Sequence, residues 1–101
     1  MTYRVYRSYG ESDESNEKYE LAAIEDGSNI NDVTSRLIKA VCDDATGLEK
    51  YQKGYTAQAY APEPVVEFRR GEINEYTMMV VLYPKYGESN DIIEYAIIEE
   101  P

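Results

Sequence analysis

Residues 76–83 read Tyr-Thr-Met-Met-Val-Val-Leu-Tyr, with bulky side chains at both alternating positions. That pattern predicts a strand covered on both sides. Pro84 stops it, Tyr86-Gly87-Glu88-Ser89-Asn90 turns the chain, and Ile92 to Ile98 runs back. The pair reads as a β-hairpin at the centre of a sheet.

Earlier in the chain, Tyr3 to Tyr9 alternates bulky and polar residues and reads as a first strand. A polar loop follows over 10–17. Tyr19 to Ile24 reads as a second strand, with Tyr19, Leu21 and Ala23 on one side. Ile30, Val33, Leu37, Ile38 and Val41 then fall at helical spacing and form one apolar stripe. Ser28 or Asn29 can cap that helix, Asp32 favours its start, and Gly47 is its natural stop. Thr46-Gly47-Leu48-Glu49 repeats the capping-box spacing, so a short second helix through Lys53 is plausible.

The stretch from Tyr55 to Pro64 carries two prolines, which exclude a central strand and suggest an extended connection. Val65 to Arg70 reads as a third strand, and 71–74 as a turn into the hairpin. The chain order is ββαβββ. At 101 residues it makes one α+β domain, spanning 1–101: an antiparallel sheet of about five strands with one main helix on one face. One helix cannot cover both faces of such a sheet, so its other face is expected to be solvated, dimerised or offered to a partner.

Charge changes the picture more than composition does. Twenty Asp and Glu face ten Lys and Arg, for a formal net charge of -10. Such a surface repels phosphate, so direct binding of nucleic acid is not expected, and a basic partner is. With no histidine, the commonest general base and metal ligand is missing. Cys42 is the only cysteine and sits at the edge of the helical stripe, where a half-buried thiol is expected rather than a nucleophile. No P-loop, dinucleotide fingerprint or EF-hand pattern occurs. The expectation is a non-enzymatic protein with no cofactor and no metal site. No apolar run is long enough to cross a membrane as a helix, and the expected home is a reducing cytoplasm.

Two stretches echo each other: Val5-Tyr6-Arg7-Ser8-Tyr9-Gly10-Glu11-Ser12 and Leu82-Tyr83-Pro84-Lys85-Tyr86-Gly87-Glu88-Ser89. Turn chemistry alone accounts for the echo. The alternative is two matching acidic hairpin tips, flanked by Tyr9 and Tyr86 and presented to a partner. Carboxylates two apart on a strand lie about 6.6–6.8 Å apart, close to the phosphate spacing of a nucleic-acid strand. The candidate phosphate-mimicking residues are Glu11, Asp13, Glu14 and Glu17 in the first tip. Glu88, Asp91 and Glu94 belong to the second tip, and Asp43, Asp44 and Glu49 form a third group at and after the end of the helix. The eleven tyrosines are the other anomaly, and they suggest a tyrosine-rich contact surface on the helix-free face.

In size, charge, element pattern and lack of catalytic residues, the chain resembles the small acidic inhibitors that phages and mobile elements use against host nucleases, the anti-CRISPR proteins among them. It is also similar in type to immunity proteins that block a toxin nuclease. The resemblance carries over no individual residues. It implies an inhibitor that enters the basic groove of a nucleic-acid-handling protein. The alternative is an oligomerising module, a homodimer for instance, that associates through the tyrosine face.

Overall fold

The computed structural model describes residues 1–9, 18–66, 74–87 and 89–101. Its strands are β1 (Thr2–Tyr9), β2 (Lys18–Asp26), β3 (Tyr55–Ala59), β4 (Glu63–Pro64), β5 (Glu75–Pro84) and β6 (Asp91–Glu100). They form one antiparallel sheet in the order β2-β1-β6-β5-β3, with the short β4 also pairing with β5. The helix α1 (Ile30–Gly47) covers one face, so the fold is α+β as the patterning implies. The β5–β6 hairpin lies inside the sheet, and β6 takes β1 on its other side.

α1 begins where its sequence dictates. Asn29 is the N-cap, and its side chain accepts from Asp32 N at 3.0 Å. The Asp32 carboxylate reaches back to Ser28 N, also at 3.0 Å. Val33, Leu37, Val41 and Ala45 form the fully buried stripe, with Ile30 and Ile38 packed at its margins. These meet Tyr3, Val5, Met78, Val80, Leu82, Tyr95 and Ile97 from the sheet. The chain enters the helix through Gly27, where an added Cβ would collide with Val33. Beyond Gly47 the expected second helix shrinks to a single 3-10 turn, Glu49–Tyr51. Gly54, at φ 79°, redirects the chain into β3. The helix touches both β2 and β3, which lie at opposite ends of the strand order. The sheet therefore curls around it and turns a convex back to solvent.

Several expectations need correction. Tyr55–Ala59 is a strand and not a connection: Pro62 and Pro64 lie beyond it, and it pairs with β5 on one side only. The third strand expected at Val65–Arg70 falls mostly outside the described residues. Val65 and Val66 are not in a strand, although Val65 N donates to Glu75 O at 2.9 Å. The turn expected at 71–74 lies outside them except for Asn74.

β5 is also not covered on both faces. Tyr76, Met78, Val80 and Leu82 are buried beneath the helix, whereas Met79 on the other face is 51% exposed. In β2, Tyr19 and Leu21 do not share a face with Ala23. The register shifts where Val5 pairs with Ala23 but Tyr6 pairs with Leu21, and the extra residue Ala22 makes a bulge. A one-residue bulge reverses every side chain beyond it. Tyr19 and Leu21 consequently join the convex face.

Candidate functional site

The two faces of the sheet handle charge differently. On the helix side, strand alternation turns Arg7 inward beside Tyr3 and Val5, leaving it 9% exposed. Asp44 comes from the last turns of α1, three residues beyond Val41 on the same stripe. Arg7 Nη1 donates to Asp44 Oδ2 at 2.5 Å, and Tyr95 Oη donates to the same oxygen at 2.6 Å. Glu20, opposite Arg7 in the register, accepts from Arg7 Nη2. Burial works against charge on this guanidinium, but the bonds to Asp44 and Glu20 outweigh it and raise its pKa. Burial pushes the Tyr95 hydroxyl strongly up, and the Asp44 carboxylate adds to the effect.

The same arrangement recurs along the helix side. Tyr51 Oη donates to Asp91 Oδ2 at 2.8 Å, and Lys50 Nζ reaches that oxygen at 3.0 Å. These two bonds hold the Asp91 carboxyl below the usual range. Tyr76 Oη donates to Glu99 at 3.2 Å. Lys39 pairs with Asp43 at 2.6 Å, one helical turn apart, and Arg36 lies 3.6 Å from Glu25 and 4.0 Å from Asp32. Between Arg7, Leu48, Lys50 and Tyr51 is a cleft of about 630 Å³. Both of its cations already hold carboxylates.

The convex face is matched at one point only among the described residues, Arg4 with Glu100. Its side chains come from Thr2, Arg4, Tyr6 and Ser8 on β1 and from Tyr19, Leu21 and Ile24 on β2. β6 adds Ile92, Glu94, Ala96 and Ile98, β5 adds Glu75, Thr77, Met79 and Val81, and β4 adds Glu63. Tyr19, Leu21, Ile24, Met79 and Ile92 are each about half exposed or more. Among the described side chains the only cation on these strands' convex face is Arg4, and Glu100 holds it at 3.0 Å. No described residue supplies a cation within ion-pair reach of Glu63, Glu75 or Glu94. Uncompensated carboxylates thus stand among exposed apolar side chains.

The structure separates the residues singled out from the sequence. Glu11, Asp13, Glu14, Glu17 and Glu88 lie outside the described residues. Tyr9 is the last residue of β1, paired with Lys18. Asp44 and Asp91 already receive donors within the chain: Arg7 and Tyr95 bond one, and Lys50 and Tyr51 the other. Asp43 is exposed but paired with Lys39. Tyr86 is 85% exposed, with Lys85 Nζ 5.5 Å from its ring centroid. Among the described acids of that set, Glu94 stands on the convex face, its carboxylate 3.4 Å from the Thr77 hydroxyl.

The described tyrosines divide between the faces: Tyr3, Tyr51, Tyr76 and Tyr95 are buried on the helix side, and Tyr6, Tyr19 and Tyr83 stand on the other face beside aliphatic residues. Glu63 and Glu75 escaped the sequence reading. The signal that marks them is strand parity: Glu75, Thr77 and Met79 alternate against Tyr76, Met78 and Val80. Burial, reinforced by Asp43, pushes the Cys42 thiol up and away from thiolate chemistry.

Among the described residues no group of three His, Cys, Asp or Glu gathers as a metal site, and no helix is long and apolar enough to cross a membrane. Comparison with family models, with curated proteins and with solved structures finds no match.

Proposed function

We propose that this chain is a non-enzymatic protein inhibitor that inserts its convex sheet face into the basic groove of a nucleic-acid-handling protein, such as a CRISPR nuclease, and excludes the nucleic acid. One observation carries the reading: on the helix side Asp43, Asp44 and Asp91 each hold a cation, whereas Glu63, Glu75 and Glu94 on the convex face have none among the described residues. An uncompensated acidic surface creates a field that draws a basic partner. Convexity suits entry into a groove, and the exposed aliphatic side chains supply the apolar contact that charge alone lacks.

A second reading, self-association through the same face, draws on those exposed side chains. It is the weaker one. A two-fold interface sets the same patch against itself, so the acidic patch of Glu63, Glu75 and Glu94 would meet an identical acidic patch.

The test is inhibition of nucleic-acid cleavage by a guide-loaded CRISPR nuclease and, separately, by a toxin nuclease domain. The expected result is inhibition of one of them that excess duplex competes away and added salt weakens, with sedimentation showing a monomer in the absence of the nuclease. A salt-insensitive dimer that inhibits neither favours the second reading.

A further inference from the structure

We propose that a cleft in the convex face is an arginine-accepting site, the point at which a basic partner inserts one guanidinium. The inference rests on the reading above and names the group that the face would recognise.

The cleft follows from the register. Ala96 lies between Tyr6 on β1 and Thr77 on β5, and Ser8 lies beside Tyr19. Small side chains at Ser8, Thr77 and Ala96 leave a depression of about 250 Å³ amid larger neighbours. Tyr19 lines it as an aromatic wall, with its residue 53% exposed. Glu75, paired with Ile98, and Glu94, paired with Met79, line it on either side of the Thr77–Ala96 pair.

Each feature selects for a guanidinium. Two carboxylates set apart along the cleft match a planar fork of several N–H donors better than a single ammonium point. Tyr19 lines the cleft, and an aromatic neighbour favours a weakly hydrated planar cation over a compact and strongly hydrated ammonium. Leu21, Met79 and Ile98 stand on neighbouring positions of the same face, where a partner seated over the cleft would cover them and shield the contact from water. Charge complementarity supports the same occupant, since the one cation described on this face is held by Glu100.

The test uses the intact chain and two glycine–serine peptides, blocked at both ends and differing only in bearing arginine or lysine. Titration calorimetry at low salt is expected to show the arginine peptide binding about fivefold tighter or better. The double variant Glu75→Gln, Glu94→Gln should cost about tenfold in that affinity. Tyr19→Leu should erase the preference for arginine, and Glu49→Gln, on the helix side, should change nothing. Equal affinity for the two peptides overturns the proposal, as does a Glu75→Gln, Glu94→Gln chain that binds like the original. Arginine binding that emerges only after Arg69→Ser, Arg70→Ser would give the cleft to the chain's own doublet and also overturn it.

Failure of this inference and failure of the inhibitor reading are distinguishable. Nuclease inhibition that survives Glu75→Gln, Glu94→Gln removes the cleft and leaves the inhibitor. An arginine-specific cleft on a chain that inhibits neither nuclease removes the inhibitor and leaves the cleft.

Discussion

Asp44 and Glu94 are both acids on elements of the same small domain, and both looked equally available in the sequence. Asp44 projects from the helix onto the covered face and receives Arg7 and Tyr95. Glu94 projects from β6 onto the bare face, and a threonine hydroxyl at 3.4 Å is its only described polar contact. The difference teaches that net charge alone says little about function. A buried-side carboxylate is part of the fold because desolvation forces it to find donors. A carboxylate with no cation and only a long hydroxyl contact on an exposed apolar face has no such structural role.

If that division is right, perturbing the helix side should be costly. Arg7→Met strands Asp44 and should destabilise by about 3 kcal/mol in urea unfolding. Arg7→Met with Asp44→Leu should recover most of the loss, because no uncompensated charge remains. A double variant as unstable as the single would break the account of this network. Leu37→Ala, beneath the sheet, should cost about 2–4 kcal/mol, whereas Met79→Ala on the bare face should cost under about 1 kcal/mol.

Titration sharpens the comparison further. Tyr3 is fully buried, and its hydroxyl makes no hydrogen bond of ordinary geometry among the described residues. Burial and the nearby Glu99 carboxylate push its pKa up to about 12. Burial also raises Tyr51, Tyr76 and Tyr95. A hydroxyl whose pKa rises on folding stabilises fully below its unfolded value of 10.0 and progressively less as pH climbs above it. Stability should therefore fall from about pH 10 upward, with tyrosinate absorbance from the buried rings appearing only on unfolding. Asp91 acts oppositely: its lowered pKa stabilises above 3.8, and that contribution is lost as pH falls below this value. The smallest expected effect is on the bare face, where Glu75→Gln, Glu94→Gln should leave stability within about 0.5 kcal/mol. A large loss there would make those carboxylates structural after all.

Much of the scaffold was legible because local rules agreed with one another. Asn29, the stripe through Val41 and the Pro84 stop each point to the element found. The bulge at Ala22 was hidden because nothing in Lys18–Asp26 marks which residue is unpaired, and the error moved Tyr19 and Leu21 to the wrong face. β3 was hidden because Pro62 and Pro64 weighed against a strand that ends before them. The site was less legible still. Pairing of Asp44 with Arg7 links positions 37 residues apart, and that of Asp91 with Tyr51 spans 40, so neither leaves a local trace. The charge of Glu75 was visible, but its isolation from cations depends on the whole face.

The central claim is that the unmatched carboxylates of the convex face meet a positive partner. Amide chemical-shift mapping of the chain, titrated at low salt with the arginine peptide, tests it most directly. The account predicts shifts concentrated at Ser8, Tyr19, Thr77, Glu94 and Ala96, with Lys39 and Asp43 unmoved. Shifts centred on the helix, or spread evenly over both faces, would contradict it.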